Sequence, residues 1–102
     1  MSFAPIQTQA DEWITSHTPG YFSPLQMVSR LTEELGELAR AVSHAHGEKR
    51  PKTGEAAGDI ADELADLIFV AVCLANLEKI DLDEAWKGLM KKLYERDANR
   101  WK

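Results

Sequence analysis

The chain has one cysteine, Cys73, set in an apolar run. No intrachain disulfide framework is open to it, and a reducing compartment fits. Its longest apolar run, Leu67 to Ala75, is nine residues, whereas a membrane-spanning helix needs roughly 20. The opening residues, MSFAPIQTQADEW, hold neither a basic segment nor a long apolar stretch, so no secretory signal is expected. Positive charge is also in short supply: 12 Lys and Arg stand against 17 Asp and Glu, a net charge of −5. That balance argues against general nucleic-acid binding, which favours a basic footprint. Internal repeats and low-complexity segments are absent. These absences point to a cytoplasmic protein with neither a nucleic-acid polymer nor a membrane as partner.

What remains is a soluble globular composition, 44% hydrophobic and 28% charged. The length of 102 residues predicts one domain over 1–102. Apolar periodicity predicts four helices and no strand. The first runs from about Pro5 to Ser16 and ends at His17-Thr18-Pro19-Gly20. The second starts at the capping box Ser23-Pro24-Leu25-Gln26, carries the stripe Val28, Leu31, Leu35, Leu38, Val42 and Ala45, and stops at Gly47. Gly47 to Gly58, GEKRPKTGEAAG, reads as a linker. The third runs from about Ala56 to Glu78, with Ile60, Leu64, Leu67 and Ile68 inward at first. Its second half, LIFVAVCLA, is apolar all round and must be buried on every side. Four short helices give little cover for it, so a partner subunit is expected there. Asp81-Leu82-Asp83-Glu84 opens the fourth helix, Leu82 to Asp97, which is expected to pack Ala85, Leu89 and Leu93, with Trp86 and Met90 at the edges. The expected fold is all-α, a four-helix protomer completing a bundle between subunits.

The chemistry lies in two acidic pairs, Glu34/Glu37 in EELGEL and Glu63/Asp66 in DELADL. Residues three apart share a helix side, so each pair aims two carboxylates at one point. Two such helices packed together gather four anions, which repel unless a cation neutralises them. With no His or Cys in either motif, the donors suit a hard ion such as Mg²⁺ or Mn²⁺. A ferritin-like di-iron site needs Glu-x-x-His on each of two helices. His44 and His46 lie seven and nine residues past Glu37, where they read as helix C-terminal dipole partners or surface residues.

EELGELARAV, a linker, then DELADLIFVAVCLAN resembles the MazG-like, all-α nucleotide pyrophosphohydrolase superfamily, whose hallmark is E-x-x-E followed by E-x-x-D. Glu34-x-x-Glu37 and Glu63-x-x-Asp66 match it with 25 residues between them. The similarity extends from about Tyr21 to Trp101, through YFSPLQMVSRLTEELGEL and the terminal RDANRW. It implies hydrolysis of nucleoside triphosphates, often deoxy or non-standard, between the α- and β-phosphates, giving monophosphate and pyrophosphate. It implies Mg²⁺ on Glu34, Glu37, Glu63 and Asp66, with Mn²⁺ as a substitute, a homodimer or homotetramer, and a role in cleaning the nucleotide pool.

Glu33, about 100° round the helix from Glu34, is the candidate for orienting or deprotonating the attacking water; its alternative is a solvated surface Glu. Lys91, Lys92, Arg96 and Arg100 form a C-terminal basic patch. Basic residues late in a helix complement its dipole; by the family resemblance, Lys92, Arg96 and Arg100 contact substrate, since an Arg fork matches phosphate. Lys49, Arg50 and Lys52 in the linker are looser candidates. Trp13, Tyr21, Phe22 and Trp101 are candidates for base stacking or for core packing. Asn76 must find a hydrogen-bond partner, across a subunit interface or on substrate. Two other functions stay open: a non-catalytic helical module that binds protein or nucleotide, and a phosphoribosyl-ATP pyrophosphohydrolase-like enzyme.

Overall fold

The computed structural model describes residues 2–47 and 59–97. Four helices follow in order: α1 (Ala4–Thr15), α2 (Pro24–His46), α3 (Ile60–Leu77) and α4 (Leu82–Asp97). Among the described residues there is no strand, and no helix is long and apolar enough to cross a membrane.

Local sequence sets the helix ends. At the start of α2 the Ser23 hydroxyl accepts from the Gln26 N–H (3.2 Å) and the Gln26 side chain accepts from the Ser23 N–H (2.8 Å). Pro24 at the first helical position carries no N–H, so two of the three unpaired N–H groups at this helix start are thereby satisfied. Gly47 caps the other end. The Asp59 carboxylate caps α3 through the Ala61 N–H (2.7 Å), so the described helix begins later than the expected Ala56. At its end the Ile80 N–H reaches the Ala75 carbonyl (2.8 Å) and the Lys79 N–H the Asn76 carbonyl (3.1 Å). This is a Schellman ending, with Lys79 at φ 58° where glycine is usual.

Helix α2 packs on α3, and α1 packs on α3 as well. Met27 early in α2 joins Val70 and Cys73 late in α3 while Glu34 meets Glu63 and Asp66, so α2 and α3 run antiparallel. The core is Ala10 from α1, Met27 from α2, and Val70, Val72 and Cys73 from α3. Leu31, Phe69, Leu74 and Leu77 pack against it. The second half of α3 is thus largely covered within its own protomer, by α1 and α2, where a partner subunit was expected to cover it. The α2 stripe divides. Met27 and Ala41 are buried and Leu31 and Leu38 half-buried, but Val28, Leu35 and Val42 lie open, seven residues apart. On α3, Leu64 and Ile68 also face outward while Ile60 and Leu67 are sheltered. A single neighbouring helix covers only one side of each stripe.

Polar contacts set the course of α4. The Gln7 amide donates to Asn76 Oδ1 (3.0 Å) and to the Ile80 carbonyl (2.9 Å), and its oxygen accepts from the Leu82 N–H (3.0 Å). Asn76 donates back to the Gln7 carbonyl (2.9 Å). Asn76 therefore bonds inside its own protomer, on the elbow between α3 and α4. Asp83 accepts from the Phe3 N–H (2.7 Å), the Ser2 hydroxyl (2.7 Å) and the Ala4 N–H (3.3 Å). Those bonds to the start of α1 hold its carboxyl below the usual carboxylate value. The Asp81 carboxylate caps α4 itself. Beyond the elbow α4 packs along neither α2 nor α3. Trp86 (beside Phe3, centroids 5.7 Å apart) and Leu89 stay half-open, Ala85 is exposed, and Met90 and Leu93 are half-buried. Among the described residues nothing covers Ala85 and Leu89 as expected.

Asn76→Ala leaves the Gln7 amide and carbonyl short of a partner. It should destabilise the protein by about 1–3 kcal/mol in denaturant titration. Unchanged stability would remove the elbow network from this account.

Candidate active site

Because α2 and α3 run antiparallel, Glu34 at mid-α2 meets the first turns of α3. Carboxylate oxygens of Glu34, Glu63 and Asp66 all lie within 4.8 Å of one another. Glu34 sits inside the seam, its side chain only 13% exposed. Glu63 is half-buried and Asp66 exposed. The cluster thus runs from the packed seam out to solvent.

Glu63 carries the electrostatic signature of the site. Its carboxyl is pushed above the ordinary carboxylate value by partial desolvation, then by the charges of Asp66, Glu37, Glu34 and Asp62. Glu37 lies near enough to act on Glu63 but is exposed and outside the tight group. So the structure brings three of the four predicted acids together and leaves the fourth at the margin. One turn beyond Glu34, its side chain leaves the seam for water.

Arg30, one turn before Glu34, was missed in the sequence. Its guanidinium lies 3.4 Å from Glu34 and 3.7 Å from Glu33. The spacing of four residues was the available signal. Glu33 itself is two-thirds exposed and lines a shallow cleft of about 220 Å³ with Phe22, Gln26, Ser29 and Arg30. It is outside the tight acid group.

Arg30 also borders a second cleft, of about 200 Å³. Trp13, His17, Phe22 and Phe69 supply its aromatic walls, with Met27, Val70 and Cys73 among its lining. Trp13 stacks on His17 (centroids 4.1 Å apart) and meets Phe69 edge-on (5.6 Å). Phe69 lies one turn beyond Asp66, so aromatic cleft and acid cluster adjoin. Burial pushes the Cys73 thiol up, keeping it protonated.

Of the stacking candidates, Trp13 and Phe22 line this cleft. Tyr21 packs on the core, and its hydroxyl donates to Asp11 (2.6 Å). Burial and that carboxylate push it up to about 12. His44, expected at the helix end as a dipole partner or surface residue, is half-buried, its Nδ1 shut from solvent with no hydrogen-bond partner among the described residues. Lys92 and Arg96 are exposed on α4, which does not reach along the α2–α3 pair. Arg100, Trp101, Lys49, Arg50 and Lys52 lie outside the described residues.

The MazG nucleotide pyrophosphohydrolase domain matches residues 22–101. The YpjD protein of Bacillus subtilis (strain 168) is 50% identical over 96 residues, 94% of this chain and 86% of that protein. The crystal structure of YpjD from Bacillus subtilis, a candidate pyrophosphatase, is similar at a TM-score of 0.79 and 48% identity, covering 90% of this chain and 94% of that one. A Bacillus-conserved MazG protein, a nucleotide pyrophosphohydrolase, is similar at a TM-score of 0.77 and 43% identity, covering 91% and 90%. Fold, acid cluster and these likenesses define an all-α hydrolase of the nucleotide pyrophosphohydrolase class. The chain belongs to the MazG nucleotide pyrophosphohydrolase family.

The raised Glu63 pKa has a stability consequence. An acid whose folded pKa lies above its unfolded value supports the fold fully below that unfolded value, here 4.5, and loses the contribution as pH rises. In chelator at pH 7, Glu63→Gln should therefore melt higher than wild type, and the gap should close as pH falls towards 4.5. A lower melting point for the variant at pH 7 would contradict the charge crowding described above.

Proposed function

We propose that this protein is a divalent-metal-dependent nucleoside triphosphate pyrophosphohydrolase. It cleaves between the α- and β-phosphates, consuming one water and releasing a nucleoside monophosphate and pyrophosphate. The observation that carries the reading is the meeting of Glu34, Glu63 and Asp66 within 4.8 Å beside an aromatic cleft. The donor set is all oxygen, one member is nearly buried, and another has its carboxyl pushed above the ordinary value by partial desolvation and its acidic neighbours. Such a set fits a hard divalent cation, Mg²⁺ first and Mn²⁺ as substitute. Glu34, Glu63 and Asp66 would hold it, with Glu37 joining from the margin. When bound, the cation supplies charge neutralisation for the phosphates and a more acidic water.

The chain's own residues do the rest. Trp13, Phe22 and Phe69 offer flat faces to the base and keep water from it. Glu33 orients or deprotonates the attacking water from the α2 face next to Glu34. Lys92, Arg96, Arg100 and Trp101 contact the substrate from the C-terminal arm. Within the protomer α4 does not pack along the acid-bearing helices, so this arm serves the site of a second copy.

The open faces support self-association as a homodimer or homotetramer. Val28, Leu35 and Val42 form a seven-residue repeat on the outer side of α2, and Leu64, Ile68, Trp86 and Leu89 are uncovered. Apolar residues in that register match the seam of a helix–helix interface. The protein acts as one domain in the cytoplasm, removing unwanted triphosphates from the nucleotide pool.

A pyrophosphate-release screen over standard, deoxy and damaged triphosphates, with Mg²⁺ and with Mn²⁺, tests the reading. Wild type should release pyrophosphate from at least one, and Glu63→Gln should fall to background while remaining folded. Release by the variant at the wild-type rate would sink the site assignment.

A further inference from the structure

Arg30 stands where two features of the protein meet. Its guanidinium is ion-paired to Glu34 of the acid cluster, and it lines both the aromatic cleft of Trp13, His17 and Phe69 and the shallow cleft beside Glu33. A nucleotide with its base in the first and its phosphates directed at the acids must pass this side chain. The two ion pairs, at 3.4 and 3.7 Å, are long. Charge-assisted hydrogen bonds to carboxylate lie at about 2.7–2.9 Å. The side chain is 48% exposed, so the pairs are weakly held and solvent-screened. Arg30 is therefore parked on carboxylates without being locked there.

We propose that Arg30 is a substrate-binding residue that exchanges Glu34 and Glu33 for a phosphate of the nucleotide. This rests on the nucleotide reading given above and assigns a residue to it. A guanidinium fork makes two parallel bonds to phosphate, at shorter range than it makes to either glutamate here. The exchange leaves Glu34 without its cationic neighbour, so the acid cluster becomes more negative as the phosphates arrive. It also frees Glu33, whose carboxylate no longer answers to Arg30.

The test is calorimetric binding of the four standard deoxynucleoside monophosphates, and of their nucleosides, in chelator. It compares the full-length wild type with Arg30→Gln and Arg30→Lys, each checked by thermal melting. Arg30→Gln should weaken monophosphate binding about tenfold, the scale of one charged hydrogen-bonding contact. It should leave nucleoside binding unchanged, because nucleosides lack the group Arg30 holds. Arg30→Lys should recover part of the loss, keeping the charge without the fork. Monophosphate affinity in Arg30→Gln equal to wild type overturns the assignment. So does an equal loss for nucleosides, which would make Arg30 a wall of the cleft only. If wild type binds no monophosphate and releases no pyrophosphate from any triphosphate, the nucleotide reading itself falls. Binding and turnover by wild type with an unaffected Arg30→Gln removes only the role of Arg30.

Discussion

Like charges held together in a helix seam are the constraint on which this structure turns. Glu34 is nearly enclosed between α2 and α3, and Glu63 and Asp66 reach the same point from the opposite helix. Nothing in a simple helix pair calls for that arrangement; seams are stabilised by apolar contact, and clustered carboxylates weaken them. The apolar contacts on either side bear the cost. Met27, Val70, Val72 and Cys73 form the core on one side of the cluster, and Ala41 is buried on the other. The cluster is tolerable because Arg30 offsets part of the charge and because Asp66 and Glu37 stay in water.

The remaining features position that pair. Helix α1 lies on α3 and adds Trp13 to the aromatic cleft beside the acids, and the turn after it adds His17. Gln7 and Asn76 pin the elbow after α3, while Asp83 ties the start of α4 to the start of α1. The direction of α4 is thereby fixed by polar bonds at its base, without packing along its length. An amphipathic helix held out this way, together with the open heptad stripe on α2, supports the proposed self-association.

Much of this was legible in the sequence because the signals are local. Ser23 and Gln26 announce the start of α2, and Leu82–Asp97 was read at its true bounds. The acid spacing located the site, since i and i+3 positions share a helix side whatever the partner. Faces were harder. Val28, Leu35, Leu64 and Ile68 are as apolar as buried residues, and periodicity cannot say which of two neighbours covers them. The same limit applies to Glu34 and Glu37, which share a helix side while one is enclosed and the other solvated. The role of Asn76 depended on Gln7, 69 residues away in sequence, and no local pattern links them. The four-residue spacing of Arg30 and Glu34 is visible in the sequence, but no local pattern places Arg30 beside the aromatic cleft.

The family assignment and the geometry support each other without being the same argument. Sequence likeness gives the reaction class; the acid cluster, the aromatic cleft and Arg30 carry the proposed route to it in this chain. The central claim is that the α2–α3 seam is built to take a hard divalent cation. The most direct measurement is anomalous diffraction from crystals grown with Mn²⁺ and a non-hydrolysable deoxynucleoside triphosphate analogue. The account predicts an anomalous peak bounded by the carboxylates of Glu34, Glu63 and Asp66, with phosphate density beside it. A peak elsewhere, or none in crystals that hold the analogue, would contradict it.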